Sequence, residues 1–403
     1  MYEELALLAV LLFLYSQIVG RVESAPVSGP LIFAAMGFIA GPILLGWFDH
    51  GVTRTEFRVI TDITLAFILF IDAANADLKT LRQNIQLPAR MLLIGLPAVI
   101  GLGFVLALLL FDQLSFFEAA ILATMLAATD AALGKAVITN PAVPVRVRES
   151  LNAESGLNDG LCVPILFVFI ALAEGSSVDG KMLALTLVAE ELGIGLAVGL
   201  GGTWLASRLM QHCWARGWIP HIWTHIATGA LAISLFAIAQ SLHGSGYIAA
   251  FSGGLLFGHL AGKNAEELLE TTEANAETLS LLTWFLFGSV GIRFAEAFTL
   301  EIALYSVLSL TVIRVLPIFL SLTGTGEKFR NRLFMGWFGP RGLASIVFAI
   351  IVLNSELPGS EFMASVVTCT VFLSLIAHGI TANPLAAWLA RAETRQSADN
   401  QNT

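Results

Sequence analysis

Charge is scarce in this chain of 403 residues: Asp, Glu, Lys and Arg make up only 13% of it, about half the share of an ordinary soluble domain. With 56% hydrophobic residues and a mean hydropathy of +0.80, that scarcity excludes a water-soluble enzyme or binding module and defines a polytopic membrane protein. Cysteine is sparse as well. Cys162, Cys213 and Cys369 are an odd, scattered set with no CxxC pair, so neither a disulfide framework nor a zinc site is expected. Basic runs are missing, which removes nucleic acid from the partners to consider. Long polar stretches are missing too. The longest are the segment near 260–277 and the tail RAETRQSADNQNT, so neither a soluble domain nor a large regulatory tail is expected.

What the chain has in abundance is apolar runs of spanning length. Windows of about 17–25 residues place roughly thirteen helices at 4–20, 28–47, 57–76, 88–111, 117–138, 149–174, 182–208, 219–241, 245–259, 278–292, 300–322, 333–353 and 361–389. The first run follows an acidic leader, MYEE, and no small-residue cleavage site closes it, so it reads as a retained helix and not as a signal peptide. Alternating the connections between two sides sorts the cations strongly. One side holds Arg21, Lys79, Arg82, Arg90, Arg146, Arg148, Arg208, Arg216, Lys263, Lys328, Arg330, Arg332, Arg391 and Arg395; the other holds Arg54, Arg58, Lys181 and Arg293. By the positive-inside rule the first side is cytoplasmic, the N-terminus is outside and the C-terminus inside. Such sorting supports an odd number of helices. The amphipathic stretch 261–277 reads as a short interfacial helix between two halves.

A weak internal echo links the halves. GFIAGPILLG in the second helix matches FSGGLLFGH in the ninth, both short and glycine-rich; ATDAALG in the fifth matches GPRGLAS in the twelfth, both polar interruptions of apolar runs. Partners lie seven helices apart, an odd offset that reverses their orientation. This is the pattern of inverted-repeat secondary transporters, whose discontinuous helices leave backbone groups and helix ends to face an ion. The expected organisation is one integral membrane domain, 1–389, with repeats at about 28–208 and 245–389, followed by a short polar cytoplasmic tail, 390–403.

Five charged side chains fall inside the apolar runs: Asp130, Glu154, Asp159, Arg314 and Arg341. At about 2.5–3.5 kcal/mol each they cost roughly 12–17 kcal/mol before pairing, so they require partners. On the sixth helix Glu154, Ser155, Asn158 and Asp159 fall at about 0°, 100°, 40° and 140° around the axis, one continuous polar face. Gly156 and Gly160 let a neighbouring backbone come close. Thr129 offers a hydroxyl and a carbonyl beside Asp130 if the fifth helix unwinds there. Carboxylate, hydroxyl, amide and carbonyl oxygens together suit a hard cation, while Arg314 and Arg341 can offset the acids. Asp72, in ILFIDAANADL, lies nearer a helix end.

These motifs resemble the monovalent cation/proton antiporters of the NhaP and NHE type, whose fold is related to NhaA. ATDAALGKAVITNPAVPVRVRESLNAESGLNDG resembles the block carrying the family's TDP and ESGLND signatures, WFGPRGLASIVFAI its WxGPRG segment, TVIRVLPIFLS its arginine-bearing helix, and FLSLIAHGITANPLA its SxxxHGxTxxPL stretch. The resemblance implies an all-α fold of about thirteen transmembrane helices, with helices 5 and 12 interrupted and crossing, in a homodimer of the prokaryotic inner membrane. It implies Asp159 as the principal cation and proton site, Asn158 as the neutral half of the Asn-Asp pair, and Asp130, Thr129 and Ser155 as the rest of the cation shell. Asp72 stands where the family commonly has an acid, and Glu154 would pair with Arg341. Two departures stand out: Ala131 replaces the proline of TDP, and Asp72 is shorter than the usual glutamate.

The expected activity is exchange of Na+ or Li+ for H+, electroneutral because Asn158 removes one titratable group, with a six-helix core moving as an elevator past a dimerising scaffold. K+/H+ exchange is the nearest alternative. No cofactor is called for, and the partners are the transported ions and lipid. From other classes, an ion channel would conduct instead of coupling, and AFSGG around Ser252 is similar to a GxSG serine-protease element with His243 or His378 as base, although the first glycine is absent. His221 and His225, four residues apart beside Trp214, Trp218 and Trp223, read as interfacial histidines.

Overall fold

The computed structural model describes all residues except 1, 25–26, 43, 48–53, 77–85, 131–132, 134, 139, 141–142, 176–177, 292–297, 356 and 402–403. Lys79, Arg82, Arg293 and Ala131, on which sequence expectations rest, lie outside the described residues.

Apolar composition and capping chemistry turn the runs into helices. These are α1 (Tyr2–Ser24), α2 (Gly29–Ala40), α3 (Arg54–Asn75), α4 (Gln86–Leu110), α5 (Phe116–Met125), α6 (Lys135–Ile138), α7 (Val145–Glu174), α8 (Val178–Ala215), α9 (His221–Ser241), α10 (Gly246–Ala261), α11 (Ala265–Gly291), α12 (Leu300–Ser321), α13 (Phe329–Trp337), α14 (Leu343–Leu353) and α15 (Ser360–Gln401). Ser28, Ser245 and Thr299 accept from backbone amides at the starts of α2, α10 and α12, removing donors that the first helical turn leaves unpaired. Ser115 and Glu118 form a capping box on α5, and the SxxE spacing is its sequence mark. The Glu118 carboxylate also accepts from the Gly359 amide at 2.8 Å, tying the start of α5 to the loop before α15.

Among the described residues, seven helices are long and apolar enough to cross a membrane, and α2, α5, α10 and α14 are shorter apolar helices. Among the described residues all regular secondary structure is helical, as expected for a membrane-spanning helical fold. The expected interfacial helix at 261–277 needs correction. After one 3-10 turn at Gly262–Asn264, a single helix runs from Ala265 to Gly291 and merges that segment with the next apolar run. The acids there share the helical period of the apolar residues that follow, so no break separates them.

Two helix crossings are set by glycine. A Cβ at Gly37 would run into the Phe285 carbonyl and one at Gly288 into the Ala34 carbonyl, so α2 and α11 touch backbone to backbone. Gly254 and Gly258 of α10 meet the Phe70 and Ala74 carbonyls of α3 in the same way. Small residues permit this approach in lipid, where packing replaces the hydrophobic effect between helices. Gly288→Ala is expected to lower stability by about 1–3 kcal/mol, because the obstacle is backbone and cannot rotate away; the melting temperature in detergent measures it.

Candidate functional site

The fifth and twelfth predicted helices are both broken. The first ends at Met125 and resumes at Lys135; the second ends at Trp337 and resumes at Leu343. Ala128–Asp130 and Phe338–Gly342 run non-helically between the halves, and the two breaks bind each other. The Asp130 amide donates to the Pro340 carbonyl at 2.8 Å, and the Leu343 amide donates to Asp130 Oδ2 at 2.9 Å. Asp130 Oδ1 accepts from the Leu133 amide at 3.3 Å. Asp130 therefore caps α14, where a carboxylate also complements the positive end of the helix dipole. A Cβ at Gly342 would collide with this carboxylate, which is why a glycine stands there.

Unwinding frees backbone carbonyls that a buried site cannot leave unpaired. Three side chains take them. Asn158 Nδ2 donates to the Ala127 carbonyl at 3.1 Å and to Thr129 Oγ1 at 3.3 Å, Arg341 Nη1 donates to the Ala127 and Ala128 carbonyls at 3.1 and 3.2 Å, and Ser155 Oγ donates to the Thr129 carbonyl at 2.7 Å. The break thus forms without the proline of the TDP signature, because side-chain donors do the work that a missing N–H would otherwise do. The thiol of Cys162, one turn along α7, donates to Asn158 Oδ1 at 3.2 Å and holds the amide in the orientation these bonds need.

The polar face of α7 is buried throughout: Glu154 is 1%, Ser155 7%, Asn158 0% and Asp159 5% exposed. Its members divide. Glu154 forms a two-pronged pair with Arg314 of α12, at 2.5 Å from Nη1 and 2.6 Å from Nη2, the fork geometry that Arg offers a carboxylate. This corrects the expectation that Glu154 pairs with Arg341. Sequence order alone leaves two arginines available, and the geometry commits Arg341 to the unwound carbonyls. Gly339 keeps room for the guanidinium, since a Cβ there would strike Arg314. Ser155 and Asn158 hold the break. Asp159 lies beside them, its Oδ1 buried with no hydrogen-bond partner among the described residues.

Asp159, Asp130 and Asp72 line one cavity of about 600 Å³. Gly156 places α7 directly against Asp72, whose Cβ lies 3.2 Å from the position a Cβ would take. The mouth lies at the end of α3 and the start of α11, beside Asn75, Glu270, Glu273 and Glu277, and Asn75 Nδ2 donates to Glu273 Oε1 at 2.8 Å. Sequence reasoning missed these glutamates as lining residues; their 270, 273, 277 spacing, which falls on one helix face, was the available signal.

The competing sites do not assemble. Ser252 Oγ donates to the Ile248 carbonyl inside α10 at 2.7 Å, and His378 is held between Ser374 and the Trp337 carbonyl, the latter at 3.0 Å. His378 thereby satisfies the C-terminal end of α13, while Ser374 accepts the Arg341 amide at 2.7 Å. His221 reaches Glu267 at 3.2 Å and meets the His225 ring edge-on; among the described residues no group of three or more His, Cys, Asp or Glu could hold a metal ion. The three cysteines are free.

Two broken helices crossing beside a buried acid, in an all-helical chain of spanning length, define a secondary transporter built on discontinuous helices. The chain belongs to the transmembrane sodium/hydrogen exchanger family, whose model matches residues 6–388. It is 25% identical over 398 residues to the K+/H+ antiporter NhaP of Alkalimonas amylolytica, covering 97% of this chain and 67% of that one. With the K+/H+ antiporter NhaP2 of Shewanella sp. (strain MR-4) it shares 26% over 400 residues, covering 96% and 66%. Against the Na+/H+ antiporter of Schizosaccharomyces pombe the identity is 24% over 381 residues, covering 85% and 79%. The chain thus spans about two thirds of the length of the bacterial relatives. In fold it matches the sodium proton antiporter MjNhaP1 of Methanocaldococcus jannaschii at pH 8 with a TM-score of 0.75 and 21% identity, covering 96% of this chain and 98% of that one.

Proposed function

We propose that the protein exchanges Na+ or Li+ for H+ at Asp159. The observation that carries this reading is the unpartnered Oδ1 of a buried Asp159 facing a cavity lined by two further acids. An ionised carboxylate there is expensive unless a proton or a cation neutralises it, so one site holds either ion and does not cross with neither bound. The Thr129 hydroxyl and Ser155 complete an oxygen-lined shell with Asp72, and Asp130 acts mainly as the α14 cap beside it. Asn158, committed to the Ala127 carbonyl and the Thr129 hydroxyl, adds no titratable proton, which supports a one-for-one, electroneutral cycle.

Alternating access is supported by two tight bodies that meet along this cavity. One is pinned by the glycine crossings of α2 with α11 and α3 with α10; the other is held by the two breaks and the Glu154–Arg314 pair. The reading that the second moves past the first rests on that division. K+/H+ exchange is a second reading, favoured by the bacterial relatives named as K+/H+ antiporters; the same oxygens accept either ion, and cavity geometry selects.

The test is exchange in proteoliposomes carrying a proton gradient. Addition of Na+ or Li+ is expected to collapse the gradient, with K+ ineffective at equal concentration and the rate unchanged when membrane potential is clamped at zero. Potassium winning a direct competition would select the second reading. Cation current without proton movement would overturn exchange altogether.

A further inference from the structure

A second cavity, of about 470 Å³, lies away from the ion site as a groove between α4 and α12. Its walls are Ile94, Ala98 and Leu102 on one helix and Leu316 and Leu320 on the other, over a floor of Pro317 and Ser321. The floor is closed because the helices touch at Gly95, where a Cβ would come within 2.6 Å of Ile318 Cδ1. Ile94 is 53%, Leu316 46% and Leu320 58% exposed, so the groove faces hydrocarbon and has the bulk of one acyl chain.

One end of this groove is cationic. Arg90 belongs to its lining, and its Nη1 donates to the Thr323 carbonyl at 2.5 Å and the Ser321 carbonyl at 3.4 Å. Arg332 approaches the same turn from α13, donating from Nη2 to the Phe319 carbonyl at 2.9 Å and Thr323 Oγ1 at 2.8 Å, with its guanidinium 3.9 Å from the Phe319 ring. The flanking sequence EKFRNR adds Lys328 and Arg330. Its one acid, Glu327, is committed to Arg146 at 3.2 Å. A guanidinium has five N–H donors, more than these carbonyls use. All four cations lie at helix ends on the side that the positive-inside rule places in the cytoplasm, at the leaflet where anionic lipids gather.

We propose that this groove is a binding site for one anionic phospholipid, its acyl chain between α4 and α12 and its phosphate at Arg90 and Arg332. Charge complementarity selects the headgroup, and the closed floor distinguishes the site from the ordinary lipid annulus. Both helices contribute to the body that holds Arg314, so the lipid travels with it. The site does not depend on which cation is exchanged.

Native mass spectrometry of protein released from mixed phosphatidylcholine and phosphatidylglycerol bilayers tests it. The expected result is one retained phosphatidylglycerol, preferred over phosphatidylcholine about fivefold or more. Arg90→Gln removes the preference, and Leu320→Trp, at an exposed position that leaves the fold intact, excludes the lipid by filling the groove. Glycerol phosphate should fail to compete. No preference in the wild type, retention in both variants, loss in Arg90→Gln alone, or full competition by glycerol phosphate would each overturn the proposal.

Discussion

Asp159→Asn should leave a folded protein in which added cation releases no protons beyond the background of empty liposomes. The substitution is nearly isosteric, so it changes the packing around the site little. What it removes is the charge at Oδ1, which is buried with no hydrogen-bond partner among the described residues. Since a buried unpaired charge opposes folding, the melting temperature in detergent should hold or rise. Asp130→Asn is the contrasting control. Both oxygens there accept backbone amides, from Leu133 and Leu343, and an amide nitrogen would meet one of those donors head-on. That variant should lose stability by about 1–3 kcal/mol, so its transport defect would come with a lowered melting temperature. Full exchange in Asp159→Asn would sink the assignment of Asp159.

Arg314→Met is expected to be the most destabilising single change. Glu154 and Arg314 are each 1% exposed, and removing one partner leaves a buried charge, at a cost of about 3–5 kcal/mol. Glu154→Gln in the same chain should recover most of that loss, since a neutral pair needs no compensation. A double-mutant cycle on melting temperatures reads the coupling directly. Arg341→Met should couple weakly to Glu154 because its bonds run to the carbonyls of Ala127 and Ala128. Strong Glu154–Arg341 coupling would reverse the pairing the geometry gives.

The long apolar runs, the two polar interruptions and the four-residue face of α7 were legible because each rests on local pattern: spanning length, a broken period, an angular sum. Partner choice was not. Glu154 faced two arginines of equal standing in the sequence, and only the placement of α12 decides between them. The missing proline of TDP concealed that unwinding can be stabilised from outside the segment, by Asn158, Ser155 and Arg341. The glutamates of α11 were visible as an amphipathic stretch, but their continuity with the apolar half of the same helix hid behind the change in composition. Gly339 and Gly342 were visible as the glycines of GPRG, but the reason for them was not, because what demands them is a guanidinium and a carboxylate from other helices.

The cavity below Asp159 has an electrical consequence. It opens beside Asn75 and Glu270, whereas the far side is packed with Phe57, Phe287, Ile346, Ile350 and Leu353 around a small apolar pocket. A membrane voltage falls mostly across the insulating layer, so its field is concentrated in that apolar plug and the cavity floor stays near the potential of the compartment it opens to. A net charge carried with Asp159 across the plug would feel almost the whole voltage, about 2.3 kcal/mol per 100 mV, even for a short displacement. A neutralised Asp159 would feel none.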